Sequence, residues 1–481
     1  LEEIMMNRCL LWIVGCLLST QLLAAEPAQP VFRAGAATSN LTPFLGGAVI
    51  GGFVPFPATN VHDELHARCL ALDDGKTQLA LVVCDLLGVS HDVSNAARKL
   101  IQENTGLPPE NVLICAVHTH SACTALGKAP LDEYHTFVAR RIADGVQNAL
   151  ATLRPAQMAW VTAEAPDHVH NRRWVMKPGT APPNPFGVVD QVKMNPPVAS
   201  PDLVEPAGPT DPTVSVIAFR EPDGRPIALF SAYSLHYVGG VKHGDISADY
   251  YGMYCNEMAR RLDAQRLDPP FVAMMANGTS GDINSINFRE PRPSLPPYAK
   301  MRMIAEDLAA KVHAALAKAE YRDDVTLAAR YREPMLDRRQ VSEEQLAWAK
   351  QKLAAAEAAP KSDKKPVRAD LPTIYAGRTL RLAAAPEKIP VPLQILRIGS
   401  VCIGTMPTEV FCEIGLEFKK RSPIQPAFLL SLSHGYLGYL PTPRHFPLGG
   451  YETWTGTNQL EPQASVKMLD ALFEMAAEAK K

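Results

Sequence analysis

The sequence predicts an α/β fold, a layered mixed sheet with helices packed outside it. Three observations carry this. Short apolar, β-branched runs alternate with helical patterns along most of the chain. Two of the runs are spaced for a parallel β-α-β crossover. Two others flank a tight turn, so antiparallel pairing joins the parallel pairing. The composition suits a folded domain with a sizeable core: 481 residues, 47% hydrophobic and 20% charged. A net charge of −2 leaves no electrostatic footprint for nucleic acid.

Taken in order, the chain opens on a targeting pattern. Met5 or Met6 is read as the start, Arg8 as a positive n-region, 9–18 (CLLWIVGCLL) as an apolar core, and Ala24 or Ala25 as the cleavage region. Residues 1–25 are therefore expected to be a signal peptide, and the mature protein to be secreted or periplasmic. The lipoprotein alternative, on IVGC at 13–16, is disfavoured because the chain stays apolar after Cys16. A single domain is expected over 31–481. Residues 79–89 (LALVVCDLLGV) read as a buried strand, 94–106 as a helix stopped by Gly106, and 111–117 (NVLICAV) as the parallel partner. A second helix is expected over 134–153. Runs 214–220 and 226–234 flank EPDGR as a hairpin, and 270–278 is another buried strand. Residues 172–212, rich in Pro, Asn and Gly, read as a long loop of functional character. Residues 342–368 read as a surface helix or insertion ending in a lysine-rich break, and strand pattern returns over 391–407. No internal repeat is visible. Seven cysteines follow the leader, with no C-x-x-C pair, and Cys84, Cys115 and Cys402 fall in apolar runs, so buried thiols are expected.

Chemistry gathers where apolar runs end. VLICAVHTHSACT, 112–124, runs straight into His118 and His120. On a continuing strand the two would share a face. If the strand stops at Val117, they lie on its C-terminal loop, where open α/β sheets bind ligands. Other run ends deliver His236, then Asn277, Asp282 and Asn284, then Glu409, then Tyr436, Tyr439 and Tyr451. Histidines plus a carboxylate make a zinc-type ligand set. Each residue also has a plain reading. His236 suits a core, Glu409 suits the first turn of a helix capped by Thr408, and Tyr439 suits packing. Residue types alone leave the two readings level.

A resemblance adds to this. AGAATSNLTPFLGG, HDELHARCLALDDG, LALVVCDLLG, AVHTHSA, HNRRW, ISADYYG, NGTSGDIN, PTEVFCEIG and GYLPTPRHFPLGGYE occur in this order, from about residue 33 onward. In these motifs the chain resembles the neutral/alkaline, non-lysosomal ceramidase family. The resemblance implies an α/β catalytic domain with one zinc ion (Zn2+) held by His118, His236, Glu409 and Tyr439. It implies His120 beside the metal as a proton carrier, and Arg172 and Tyr451 on the substrate or its oxyanion. It implies cleavage of an amide of N-acyl-sphingosine type, a small-molecule or lipid substrate, and transient contact with a membrane surface. The chain departs from the family's GDxSPN, where Asn284 takes the serine position and Ser285 is one residue off. Asn can hydrogen-bond a substrate but supplies no hydroxyl nucleophile, so attack by zinc-activated water is expected. The family's immunoglobulin-like C-terminal domain is not expected here. Two alternatives stay open, a zinc hydrolase acting on a glycan or small amide or ester, and a binding protein on the same fold.

Overall fold

The computed structural model describes residues 31–358 and 370–481. The expected signal peptide lies outside the described residues, as does the lysine-rich end of the 342–368 segment. The first strands form a meander, β1 (Arg33–Asn40), β2 (His66–Asp73) and β3 (Gln78–Cys84), each antiparallel to the next. Helix α1 (His91–Thr105) then crosses to β4 (Val112–Ala116), which pairs parallel with β3, and α2 (Glu133–Ala151) follows. The parallel pair and both helices agree with the sequence pattern. Helix α1 starts earlier than its apolar period because Ser90 caps it, accepting from the Val93 N–H. It stops where Gly106 turns left-handed at φ 76°.

The same order then recurs. Strands β5 (Gln157–Glu164), β6 (Thr213–Arg220) and β7 (Pro226–Tyr233) are antiparallel in turn. Helix α3 (Asp249–Arg261) crosses to β8 (Val272–Asn277), parallel to β7, and α4 (Ala299–Leu316) follows. A third round runs through β9 (Leu327–Arg332), an excursion of two helices, α5 (Glu343–Ala358) and α6 (Leu371–Ala384), then β10 (Leu393–Ile398) and β11 (Val401–Thr405). Helix α7 (Cys412–Arg421) crosses to β12 (Ala427–Leu430), parallel to β11, and α8 (Ala464–Lys480) closes. Each main sheet thus has the same strand order and the same directions. The chain is a structural triplication, a repeat invisible in the sequence. The repeat lies in topology, and excursions of unequal length between first and second strands, 41–65, 165–212 and 333–392, destroy any fixed period.

One face of each sheet enters a shared core, with Leu70 and Leu81, Phe230 and Met274, and Leu396 and Ile403 in one cluster. The alternate residues meet helices. Val82 and Ile114 pack with Val93 and Ile142, while Ile395 and Leu429 pack with Phe418 and Leu472. Helices therefore sit outside the sheets, as expected. All seven described cysteines are buried and free. No helix among the described residues is long and apolar enough to cross a membrane.

Two sequence readings need correction. The 172–212 segment holds three short strands, Arg173–Met176, Val192–Met194 and Leu203–Pro206, which form a small sheet. Runs of three or four residues are too short to show a period. Glu409 is not in a helical first turn. Helix α7 begins at Cys412 with Phe411 at its cap, and Glu409 instead opens a two-residue parallel pairing directly beside Tyr439.

Candidate active site

The loops after the third and fourth strands of the three rounds converge. After β4 the backbone reverses at once, because His118 adopts φ 73°. His118 and His120 therefore leave the strand instead of sharing its face. Three imidazoles then meet, each tied down through Nδ1. His118 Nδ1 lies 2.7 Å from the Leu87 carbonyl, His120 Nδ1 2.9 Å from the Gly51 carbonyl, and His236 Nδ1 3.0 Å from the Ser280 carbonyl. A carbonyl only accepts, so each Nδ1 carries the hydrogen and each Nε2 of a neutral ring offers a lone pair. Gly51 can approach this closely only as glycine, since a Cβ there would lie 2.2 Å from the His120 carbonyl oxygen.

The Nε2 nitrogens face one another, with Arg172 Nη1 3.5 Å from that of His236. His118 Nε2 and His120 Nε2 are 3.1 Å apart, and a ligating nitrogen from each of the three rings fits within 4.8 Å. Glu409 Oε2 lies 3.3 Å from His118 Nε2 and 3.6 Å from His236 Nε2, buried and without a hydrogen-bond donor. Facing lone pairs repel unless a cation lies among them. Zinc–ligand bonds of about 2.0–2.1 Å in a tetrahedron set its edges at roughly 3.3 Å. The residues therefore fit a small divalent ion. The electrostatics agree. Burial and the neighbouring His118 take His120 down to about 3, and burial with Arg172 holds His236 well below its usual range. Burial alone would raise the Glu409 carboxyl, yet His118, His236 and Tyr439 outweigh it and hold it well below the usual carboxylate range.

Around this cluster, Tyr436 donates to Glu409 Oε1 at 2.7 Å, which leaves Oε2 facing the histidines. The Arg172 guanidinium lies 5.3 Å over the Tyr439 ring. Arg172 Nε donates to Glu452 Oε1 at 3.0 Å, and the fully buried Arg173 donates to Glu452 Oε2 at 2.6 Å. Arg172 Nη2 is buried with no acceptor, a spare N–H on the cavity wall. Tyr451 stands against Tyr439 with ring centroids 5.5 Å apart.

All of these except Glu452 and Arg173 line one cavity of about 680 Å³. Each excursion contributes to its wall: Ile50 to Phe53 from the first, Arg172, 181–185, Asp190 and 192–195 from the second, and Leu371, Pro372 and Arg378 from the third. Asn284 is not brought to the histidines. It pairs with His170 and donates to Asn195 Oδ1 at 3.1 Å, so Asn195 stands between it and the cavity. Sequence reasoning missed Tyr237, stacked on His120 at 3.7 Å, together with Glu452 and Arg378. Tyr237 and Glu452 adjoin His236 and Tyr451, and that adjacency was the available signal. Nothing local marks Arg378.

Fold and site together describe a mixed α/β protein with a histidine–carboxylate cluster at its strand ends. Among solved structures, this is the fold of the neutral ceramidases. One, described as "Ceramidase complexed with C2", matches with TM-score 0.67 at 16% identity, over 94% of this chain and 75% of that one. The neutral ceramidase from Pseudomonas aeruginosa matches with TM-score 0.66 at 17% identity, over 93% and 74%. At such identities the likeness is one of fold. No protein-family model and no curated protein matches the sequence.

Proposed function

We propose that this chain is a secreted, zinc-dependent hydrolase that cleaves amides, with His118, His236 and Glu409 as metal ligands. The observation that carries the reading is the convergence of three Nδ1-anchored imidazoles on a buried carboxylate oxygen that lacks a donor. His120 and Tyr439 both border the remaining coordination space. Zinc held there would make water a nucleophile near neutral pH by lowering its pKa to about 7. The chain's own groups do the rest. His120, stacked on Tyr237, would take at Nε2 the proton that the attacking water gives up and pass it to the departing amine. Arg172 Nη2 donates to the oxyanion, where one such donor is worth about 3 kcal/mol. Glu452 holds Arg172 in place for that task.

Elemental analysis of protein expressed with zinc, followed by a panel of amides and esters, tests the reading. One zinc per chain and amide turnover abolished by chelation are expected. Protein without metal, or metal-loaded protein inert toward the whole panel, would overturn it.

A further inference from the structure

The cavity wall carries a cation that hydrolysis does not use. Arg378, on α6, is partly buried and lies over two rings, its Cζ 5.3 Å from the Phe53 centroid and 5.1 Å from the Tyr375 centroid. Its Nη1 reaches the Tyr375 hydroxyl and Thr457 Oγ1, both at 3.4 Å. These partners are neutral oxygens. Among the described residues no carboxylate pairs with Arg378, nor with Lys193 on the same lining. The lining acids are Glu409, which faces the histidines, and Asp190, which accepts from Asn184 and Trp454. A guanidinium over two ring faces, partly desolvated and without a counter-charge among the described residues, is a site short of an anion.

Its position sets the geometry. Arg378 shares the cavity lining with Tyr451, whose ring lies 5.5 Å from that of Tyr439, the residue paired beside Glu409. The lining of the same cavity includes the apolar side chains of Ile50, Phe53, Leu126, Val192 and Trp454. We propose that Arg378 recognises a carboxylate or phosphate of the substrate. The molecule cleaved here is then an amide or ester with an apolar body and an anionic group a few bonds from the scissile carbonyl, not a neutral lipid amide. The cleavage half of this statement rests on the hydrolase reading, whereas the anion site does not.

Titration calorimetry on the zinc-loaded protein separates the two. The probes are N-octanoylglycine, its neutral carboxamide, and octyl phosphate. At least one anion should bind ten times more tightly than the carboxamide or better, and the stronger anion identifies the group recognised. Arg378→Gln should reduce that preference to within about twofold, and Arg378→Lys, which keeps the charge but loses the planar fork, should restore part of it. Equal binding of all three probes by the wild type would overturn the proposal. So would a preference surviving in Arg378→Gln, as it would if the anion went to the metal or to Arg172. If Arg378→Gln fails to fold, a full preference retained in Arg378→Lys together with no loss of it in 0.5 M salt overturns the proposal, about 0.5 M being well above the screening range of exposed charges. Hydrolysis of N-octanoylglycine is followed in parallel. Anion preference with no turnover of N-octanoylglycine or of any amide or ester in the panel sinks the hydrolase reading and keeps the site, whereas turnover without anion preference does the reverse.

Discussion

The floor and the wall of the cavity are built differently. The floor comes from the ends of paired strands. His118, His120 and His236 each hang from a backbone carbonyl, and Glu409 is fixed by its pairing beside Tyr439 and by Tyr436. The wall comes from three excursions that share no pattern, and its cation Arg378 is held by ring faces and hydroxyls. Strand ends repeat in position from round to round, so they can bring reacting groups to one point. Excursions vary freely in length, so they can shape what enters without disturbing that point. The difference teaches that floor changes should abolish chemistry while wall changes should redirect it.

The largest effect expected is on the floor. His118→Ala and His236→Ala should each lose bound zinc and all turnover, with more than the ~10–100-fold loss of metal affinity seen when an outer partner is removed. His120→Ala should retain zinc by elemental analysis and lose turnover. A His120→Ala protein as metal-free as His118→Ala would make the third imidazole a ligand, a role its 3.1 Å approach to His118 also suits.

The next effect tests the joint between the two regions. Glu452 is fully buried and bridges Arg172 and Arg173. Glu452→Gln would leave two buried guanidinium groups facing one neutral amide, at a cost of about 3–5 kcal/mol. Urea unfolding should show this as a lowered midpoint, with kcat falling as Arg172 loosens. An unchanged midpoint would mean that the wall is not tied to the floor through this residue.

How much of this was legible beforehand follows from the same division. Floor residues announce themselves, because an apolar run that ends in His118, His236 or Glu409 is a local signal. The crossover from β3 to β4 and the hairpin of β6 and β7 were legible for the same reason, since each is a pattern within a few tens of residues. The pairing of Glu409 with Tyr439 was not, being a two-residue contact across thirty positions of chain. The end of the strand before His118 was legible as one of two alternatives, but not the reversal's geometry, since nothing around a histidine marks φ 73°. Arg378 was invisible because its meaning lies in Phe53 and Thr457, which only folding brings to it.

A smaller effect concerns pH. Asp249 accepts from the Val238 and Gly239 N–H groups at 3.0 and 2.9 Å, and so pins the loop that carries His236 and Tyr237. Burial raises its carboxyl from 3.8 to about 6, with the Gly239, Tyr250 and Val238 N–H groups working the other way. Between about pH 4 and 6 the folded chain therefore keeps a proton that the unfolded chain has lost. This contribution is fully present below pH 4 and is lost as pH rises through 6, by up to about 3 kcal/mol. Asp249→Asn cannot titrate. Subtracting its pH profile of unfolding free energy from that of the wild type should leave a curve falling from pH 4 to 6. A flat difference would mean that the carboxylate is stabilised by its three N–H donors as fully as burial destabilises it.

The smallest effect is expected at Asn284, and it tests whether the wall has a second layer. Its side chain donates to Asn195 Oδ1, and the Asn195 N–H donates to the Arg172 carbonyl at 2.8 Å, so Asn284 reaches the site only through two intermediaries. Asn284→Ala removes one hydrogen bond, worth about 0.5–1.5 kcal/mol, and should slow turnover no more than roughly tenfold with zinc retained. Ser285→Ala serves as the control for a displaced nucleophile. Ser285 is buried in the turn after Asn284, its carbonyl accepting from Lys300, and its substitution should leave turnover within about twofold because water, not a serine, is the expected attacking group. A hundredfold loss in Asn284→Ala would put its amide on the substrate itself, which requires the Asn195 contact to open when substrate binds. A complete loss in Ser285→Ala, or an acyl group found on Ser285 by mass spectrometry, would mean that this turn reaches the floor after all, and the division between reacting floor and shaping wall would fail at that turn.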